Sequence, residues 1–399
     1  MRILIINHFP LEGSGSGIYT KNLARELSEM GHKVKVIYPE HTKTESKSFD
    51  SRVILFKYNG NTDYDLDYNF PCFTSHPRSN NTYYDLTDKQ LKDYVDTFVK
   101  VTKDEVEKFK PDIIHAQHLW IAPYAASLTN IPYIVTAHGT DLKGFVKDKR
   151  YHKYALEGAK NASKIITISN QVDEEVTKLY GIKSDKKALI QNGYDENLFL
   201  LKNMNKNKKL EEFGVNVCTE HVVSFAGKLT HFKGVDVLLK AAKIYEKEVE
   251  GNVITLIAGN GELYESLNNL RDKLNLEHIY FLGHINQEQL VDMYNIADVS
   301  TVPSRTEPFG LVAIEALACG TPVVGTNQGG LPDFITDKVG KLVPVDDDMA
   351  LAEAIINELK RNDKFERSLN CSNYAKDNFS WKHSITEVEN LYKKTIGIK

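Results

Sequence analysis

Two glutamates eight residues apart, in Glu307-Pro308-Phe309-Gly310-Leu311-Val312-Ala313-Ile314-Glu315, form the strongest chemical signal in the chain. A helix beginning near Phe309 would leave free N–H groups at its start, with Glu307 just ahead of them and Glu315 about two turns in. The helix N-terminus, through Phe309, Gly310 and Leu311, then takes phosphate. One carboxylate could then accept hydrogen bonds from hexose hydroxyls and the other from ribose hydroxyls. The plain alternative is an acidic residue favouring the helix dipole together with an unrelated surface Glu. Against it, Glu315 stands among Ala313, Ile314, Ala316 and Leu317, and a carboxylate in such surroundings ordinarily has a partner.

Lys228 and Lys233 lie five apart in Ala226-Gly227-Lys228-Leu229-Thr230-His231-Phe232-Lys233-Gly234. Two cations on one turn would stabilise the charge that a diphosphate gains as its bond to a sugar breaks, although lysines in loops are usually solvated. A third signal is Gly13-Ser14-Gly15-Ser16-Gly17, where Gly15 and Gly17 let backbone come close to a ligand ahead of a helix. Its G-x-G-x-G order meets neither the dinucleotide fingerprint nor a P-loop, and alone it also fits a flexible turn.

These residues need a scaffold that delivers them to strand ends. Residues 2–6 read as a buried strand, and a helix follows from Ile18 to Met30, closed by Gly31. Further strands are predicted at 33–38, 52–57, 112–116, 132–137 and 164–168, several apolar throughout, as a parallel sheet covered on both faces requires. Asn192-Gly193 marks a turn, and 195–220, rich in Asn, Lys and Glu, reads as a linker. The alternation restarts with strands at 221–226, 253–258, 279–282, 298–302, 322–325 and 341–344. Helices are expected near 235–249, 262–274, 287–296, 310–319 and 349–360. The class is α/β, with two facing Rossmann-like doubly wound domains, 1–195 and 196–375, whose C-terminal strand edges border one interdomain cleft.

Composition excludes more than it assigns. A length of 399 residues is about two to three times a typical domain. Fifty basic against 54 acidic residues leave no general field for nucleic acid. Four cysteines (Cys72, Cys218, Cys319, Cys371) without a C-x-x-C pair suggest neither a disulfide framework nor a zinc knot and fit a cytoplasmic protein. The apolar run Met1–Ile6 is too short for a signal or a membrane span.

Glu307 and Glu315 reproduce the E-x7-E motif of retaining glycosyltransferases of family 4, and Gly227-Lys228 with Lys233-Gly234 resembles that family's G-R…K-G donor motif. The similarity covers nearly the whole chain. It runs through the glycine loop, His115-Ala116-Gln117-His118, Thr136-Ala137-His138-Gly139-Thr140-Asp141, Asn192-Gly193, Ala258-Gly259-Asn260-Gly261, Phe281-Leu282-Gly283-His284 and the block from Phe379-Ser380-Trp381. The resemblance implies the GT-B fold, with helices around 364–377 and 383–396 and the segment 376–399 crossing back to the first domain. It implies a hexosyltransferase that takes a sugar from a nucleotide diphosphate-sugar, UDP- or GDP-linked, and needs neither metal nor cofactor. His138 would then lie beside the reacting sugar, Glu307 would orient the hexose, Lys228 and Lys233 would bind the diphosphate and Glu315 the ribose. Backbone near His284 and Ile285 would hold the base. Position 228 departs from the family's usual Arg, so bidentate phosphate recognition is lost while charge neutralisation persists. Asp63-x-Asp65-x-Asp67 and Asp346-Asp347-Asp348 read as surface loops.

The acceptor, a small molecule, a glycan or a lipid-linked sugar, is expected on the first domain. Arg78, in a long insertion that includes Phe70 to Arg78, together with His118 and the cations Lys149 and Arg150, would select an anionic acceptor. The basic run 143–153 also fits a solvated helix face, or a peripheral contact with the inner face of a membrane. A nucleotide-sugar epimerase on the same fold and a non-catalytic nucleotide-sugar sensor are the competing functions.

Overall fold

A computed structural model describes every residue except Glu45, Ser75, Glu220 and Lys399. The chain forms two compact units, Met1–Gln191 with Ser384–Lys399, and Asn192–His383. Residues 376–383, expected in the returning segment, thus belong to the second unit. Among the described residues no helix is long and apolar enough to cross a membrane.

The first unit begins with β1 (Arg2–Ile6), α1 (Gly15–Glu29), β2 (Lys33–Glu40), β3 (Asp50–Leu55), α2 (Asp88–Phe109), β4 (Ile113–Gln117) and α3 (Ala122–Ser127). It continues through β5 (Tyr133–Ala137), α4 (Thr140–Lys147), α5 (His152–Asn161), β6 (Lys164–Thr167), α6 (Asn170–Tyr180) and β7 (Lys187–Leu189). Its strands pair in parallel in the order β3-β2-β1-β4-β5-β6-β7. Ile3 to Ile6 are fully buried, which is why β1 lacks a polar alternation. The described residues between 56 and 86 are irregular, apart from isolated bridges such as Cys72 to Thr82 and His76 to Ser79.

Helix α2 was not expected, since no helix was placed between the strands at 52–57 and 112–116, where only a long insertion including Phe70 to Arg78 was noted. Thr87 and Gln90 form a capping box at its start, and Leu91, Tyr94, Val95 and Phe98 make a buried stripe at helical spacing. Helix α1 starts at Gly15 rather than Ile18, because the Ser14 side chain caps it by accepting the Gly17 N–H.

The second unit contains α7 (Lys206–Glu212), β8 (His221–Ala226), α8 (Val235–Glu248), β9 (Val253–Ala258), α9 (Tyr264–Lys273), β10 (Ile279–Gly283) and α10 (Gln287–Ile296). There follow β11 (Val299–Val302), α11 (Leu311–Ala318), β12 (Val323–Thr326), β13 (Gly340–Val343), α12 (Asp348–Leu359) and α13 (Lys364–Phe379). The sheet order β10-β9-β8-β11-β12-β13 is again parallel. Helix α7 lies inside the predicted linker. Helix α14 (Trp381–Ile396) leaves the second unit and enters the first, where Ile385, Val388 and Tyr392 are buried.

Phe98 is fully buried and stacks on Tyr94 with ring centroids 4.5 Å apart. Phe98→Ala should cost the first unit roughly 3–5 kcal/mol, the range for a buried aromatic cut back to Ala. Urea unfolding followed by a probe in that unit checks this, and a loss under about 1 kcal/mol would contradict the packing assigned to α2.

Candidate active site

In each sheet the strand order reverses once, between β1 and β4 and between β8 and β11. Loops leaving the C-terminal ends of such a strand pair diverge and open a crevice, the usual ligand site of an open α/β sheet. In the second unit Lys228 and Lys233 follow β8 and Glu307 follows β11. Lys233 Nζ donates to Glu307 Oε2 at 2.6 Å, with the Ser304 hydroxyl 3.4 Å from the same oxygen. Glu307 is 7% exposed, whereas Lys228 stands exposed just past the end of β8.

Arg305, unremarked in the sequence, fastens this arrangement. Its guanidinium takes both oxygens of Asp236 at 2.8 and 2.7 Å, donates to the His231 carbonyl at 2.8 Å and reaches Asp346 at 2.6 Å. Its backbone N–H donates to the Phe232 carbonyl at 2.8 Å. One side chain therefore ties the β11 loop to the turn after β8, to the first turn of α8 and to the loop after β13. Asp346 has a structural duty here rather than being a free surface carboxylate, and Asp347 caps α12 through the Ala350 N–H. From behind, the loop after β12 presses on Glu307. A Cβ at Gly329, where φ is +66°, would lie 1.6 Å from the Glu307 carbonyl oxygen, so only glycine fits.

The loops after β8, β9 and β10 are stitched through backbone. Gly227 N–H donates to the Ala258 carbonyl at 3.0 Å and Gly259 N–H to the Gly283 carbonyl at 2.7 Å. His284, exposed, and Ile285, half-buried, follow β10 at the same sheet edge.

Two sequence expectations about α11 need correction. The helix starts at Leu311, because Gly310 sits at φ +104° and cannot belong to a right-handed turn, so Glu315 is one turn in rather than two. Phe309 is buried with its ring against Phe334, leaving only its backbone for a ligand. Burial pushes the Glu315 carboxyl up to about 8.

In the first unit the glycine loop follows β1, His118 ends β4's exit and His138 follows β5. A Cβ on Gly17 would meet the Pro10 carbonyl oxygen at 2.1 Å, while Gly15 faces open space. The His138 N–H donates to Asp141 Oδ1 at 3.2 Å, and its ring Nε2 pairs with Gln117 Oε1 at 2.9 Å. Burial, with the adjacent His118 ring, holds His138 well below the usual imidazole range, so it is neutral at pH 7. Asp141 also accepts the Leu119 N–H at 2.7 Å. Burial opposes its charge, but the His118 and His138 rings and that amide outweigh the penalty, and its carboxyl stays below the ordinary range. His118 is 1% exposed at φ +68°, with neither ring nitrogen hydrogen-bonded and Nδ1 3.9 Å from Asp141 Oδ1. His118 is thus a buried imidazole in the left-handed region, packed among the His8, Phe9, Phe73 and His138 rings with Asp141 as its charged neighbour. Deeper, His8 pairs with Tyr94 Oη at 2.8 Å and accepts the Ala122 N–H at 2.9 Å, and burial keeps it neutral as well.

Arg78 grips Glu40 with both guanidinium nitrogens, at 2.6 and 2.9 Å. Its N–H donates to His76 Nδ1 at 3.1 Å, and His76 Nε2 donates to the Glu12 carbonyl at 3.0 Å, so Arg78 is anchored beside the glycine loop. Ser75 of the same insertion lies outside the described residues. Lys149 and Arg150 are not brought to this place. Arg150 is spent on Asp148 at 2.7 Å and on the carbonyls of Leu86 and Tyr84 at 2.6 and 3.1 Å. Both residues line a separate groove of about 910 Å³ over α2, α3 and α5, whose lining includes neither Arg78, His118 nor His138.

Two family profiles match, Glycosyltransferase Family 4 over residues 13–198 and Glycosyl transferases group 1 over residues 205–378. An uncharacterized glycosyltransferase of Methanocaldococcus jannaschii is 31% identical over 314 residues, covering 71% of this chain and 75% of that protein. The D-inositol 3-phosphate glycosyltransferase of Corynebacterium aurimucosum is 27% identical and covers 100% of this chain and 97% of its own length. Among solved structures, sucrose-phosphate synthase from Thermosynechococcus elongatus superposes with a TM-score of 0.77 at 22% identity, covering 100% of this chain and 99% of that one. Anabaena HepE in complex with UDP and glucose gives 0.75 at 19% identity, covering 99% and 100%.

Glu315 provides a test of the second unit. Its folded carboxyl holds a proton up to about pH 8, whereas the unfolded chain releases it near 4.5, so the folded state loses stability as pH rises across that window. Glu315→Gln, uncharged throughout, should lack this contribution. Calorimetric unfolding of both proteins at several pH values reads the difference, and superimposable pH slopes would show that Glu315 is not buried as the acid.

Proposed function

The chain belongs to glycosyltransferase family 4 and is a sugar transferase of GT-B fold, and we propose that it moves a hexosyl group from a UDP- or GDP-sugar to a hydroxyl acceptor with retention at the anomeric carbon. The observation that carries the donor assignment is the Lys233–Glu307 pair at the strand-order reversal between β8 and β11. Before the donor arrives, each partner neutralises the other. On binding, Lys233 turns to the diphosphate beside Lys228, and Glu307 is released to accept a hydrogen bond from a hexose hydroxyl. Glu315 takes the ribose, and the backbone around His284 and Ile285 takes the base.

The diphosphate then leaves with the electron pair of the anomeric C–O bond. The acceptor oxygen enters from the same face, and its proton passes to the departing phosphate oxygen. The two lysines supply the positive charge that this step requires, so the reading calls for no metal. His138, neutral and fixed by Gln117 and Asp141, contacts the sugar. HepE, solved with UDP and glucose, supports a nucleotide-sugar donor.

For the acceptor we assign Arg78 and His118 and leave out Lys149 and Arg150. Relatives named D-inositol 3-phosphate glycosyltransferases support an acceptor bearing phosphate. The enzyme would work in the cytoplasm, and a lipid-linked acceptor would bring it to the inner face of the membrane.

Lys233→Ala should lower turnover by about 10² to 10³ with UDP- or GDP-sugar, the effect of losing one preorganised charge-stabilising donor. Lys228→Ala should act similarly, and the double variant should fall short of the product because both lysines serve one diphosphate. Steady-state kinetics over a donor panel checks this, and turnover within about threefold of wild type in both single variants would remove the donor assignment. Arg78→Ala should raise KM for a phosphorylated polyol acceptor about tenfold while leaving donor KM alone, the expected loss of one charge-assisted contact. An unchanged acceptor KM would sink the anion site.

A further inference from the structure

Helix α14 enters the first unit with Tyr392 fully buried against β4. Tyr392 Oη lies 2.6 Å from His115 Nδ1, and His115 Nε2 lies 2.7 Å from Thr136 Oγ1. The Thr136 hydroxyl in turn faces the phenol of Tyr19 on α1, the helix that carries the glycine loop. The Tyr19 ring then stands edge-on to His138, with centroids 5.3 Å apart and planes at 74°. Strand geometry explains how these groups meet. His115 and Gln117 project from one face of β4, and Thr136 and His138 project alike from β5 and its exit, with Gln117 and Thr136 in register. Two rungs result, His115 to Thr136 and Gln117 to His138.

The first rung admits no slack. His115, Thr136 and Tyr392 are fully buried and Tyr19 nearly so, and a buried polar atom that loses its partner is costly. Burial holds the His115 imidazole down to about 3, so the ring carries a single proton. With one proton on the ring, Tyr392 and Thr136 must take opposite roles toward it, one donating to the bare nitrogen and the other accepting from the N–H. If Tyr392 donates to Nδ1, then Nε2–H donates to Thr136 and leaves the Thr136 proton able to turn to Tyr19. The alternative reverses every donor. Removing the terminal hydroxyl lets His115 change tautomer, frees the Thr136 hydroxyl to turn, and loosens Tyr19 against His138.

We propose that the Tyr392 hydroxyl is a positioning group for His138, acting from the C-terminal helix through His115, Thr136 and Tyr19. The proposal rests on His138 being the residue that contacts the transferred sugar. Docking of α14 does not depend on this hydroxyl alone, since His32 Nε2 meets Glu389 Oε1 at 2.9 Å and Lys393 meets the same oxygen at 2.8 Å.

The test uses the full-length protein and two isosteric variants, Tyr392→Phe and Tyr19→Phe. Each should lower kcat about tenfold with donor KM held within twofold, the effect of one buried hydrogen bond felt in the transition state. Long-range ¹⁵N–¹H spectra of the imidazoles supply a readout that needs no activity. In both variants the His138 ring resonances should move, and in Tyr392→Phe the His115 nitrogens should report a changed tautomer balance. Unmoved His138 resonances in both variants overturn the proposal whatever kcat does. Moved resonances with unchanged kcat also overturn it, because the ring's setting would then not matter to transfer. If wild type transfers no sugar from any UDP- or GDP-sugar, the proposed function fails, while the spectra still decide whether the hydrogen-bonded chain reaches His138.

Discussion

All strands in both sheets run parallel, so within each unit every loop that follows a strand leaves from the same edge. That polarity is the constraint on which the chemistry depends. A parallel sheet needs helices on both faces, which removes polar side chains from the strands and leaves the strand exits as the place for function. The exits of β1, β4 and β5 carry the glycine loop, His118 and His138. Those of β8 and β11 carry the lysines and Glu307. Gly329 illustrates how tightly the exits are built: the Glu307 carbonyl is backed by backbone where no side chain fits.

Much of this was legible from the string because buried parallel strands are apolar throughout. The strand centres and the α8 to α12 alternation were expected within a few residues. Strand β7 was not, since Lys187–Leu189 is three residues long, too short to show a period, and none of them is buried. Helix α2 was missed although its signal was present, in the Thr87 to Gln90 cap and the stripe from Leu91 to Phe98. Of the site, Glu307, Glu315 and the two lysines were visible as residue types at fixed spacing. Arg305 was not, because its meaning lies in Asp236 and Asp346, 69 and 41 residues away in sequence.

Three arginines are committed to carboxylates. Arg305, Arg150 and Arg78 each hold a carboxylate with two nitrogens or from two sides, and in two cases also fasten backbone carbonyls or loops. Such forks give geometry more than free energy where they are solvated. The Lys233–Glu307 pair differs in kind, being a single point contact that a competing anion and a competing hydroxyl can part. The rigid Arg305 clamp and the divisible lysine contact thus stand side by side at the exits of β8 and β11.

The neutral buried histidines of the first unit carry a consequence for acid and base tolerance. His8, His115 and His138 are all held below the ordinary imidazole range, so the unfolded chain binds protons that the folded unit refuses as pH falls below about 6.5. These groups make the first unit lose stability on acidification. In the second unit Glu315 and Glu246 are raised by burial, Glu246 to about 7 with Glu277 beside it, and both act in the opposite direction as pH rises. The halves of one enzyme are thus biased toward opposite ends of the pH scale. Acid below about pH 6.5 weakens the unit that bears the histidines, whereas a rise in pH from about 4.5 to 8 weakens the unit that bears the lysine–glutamate pair.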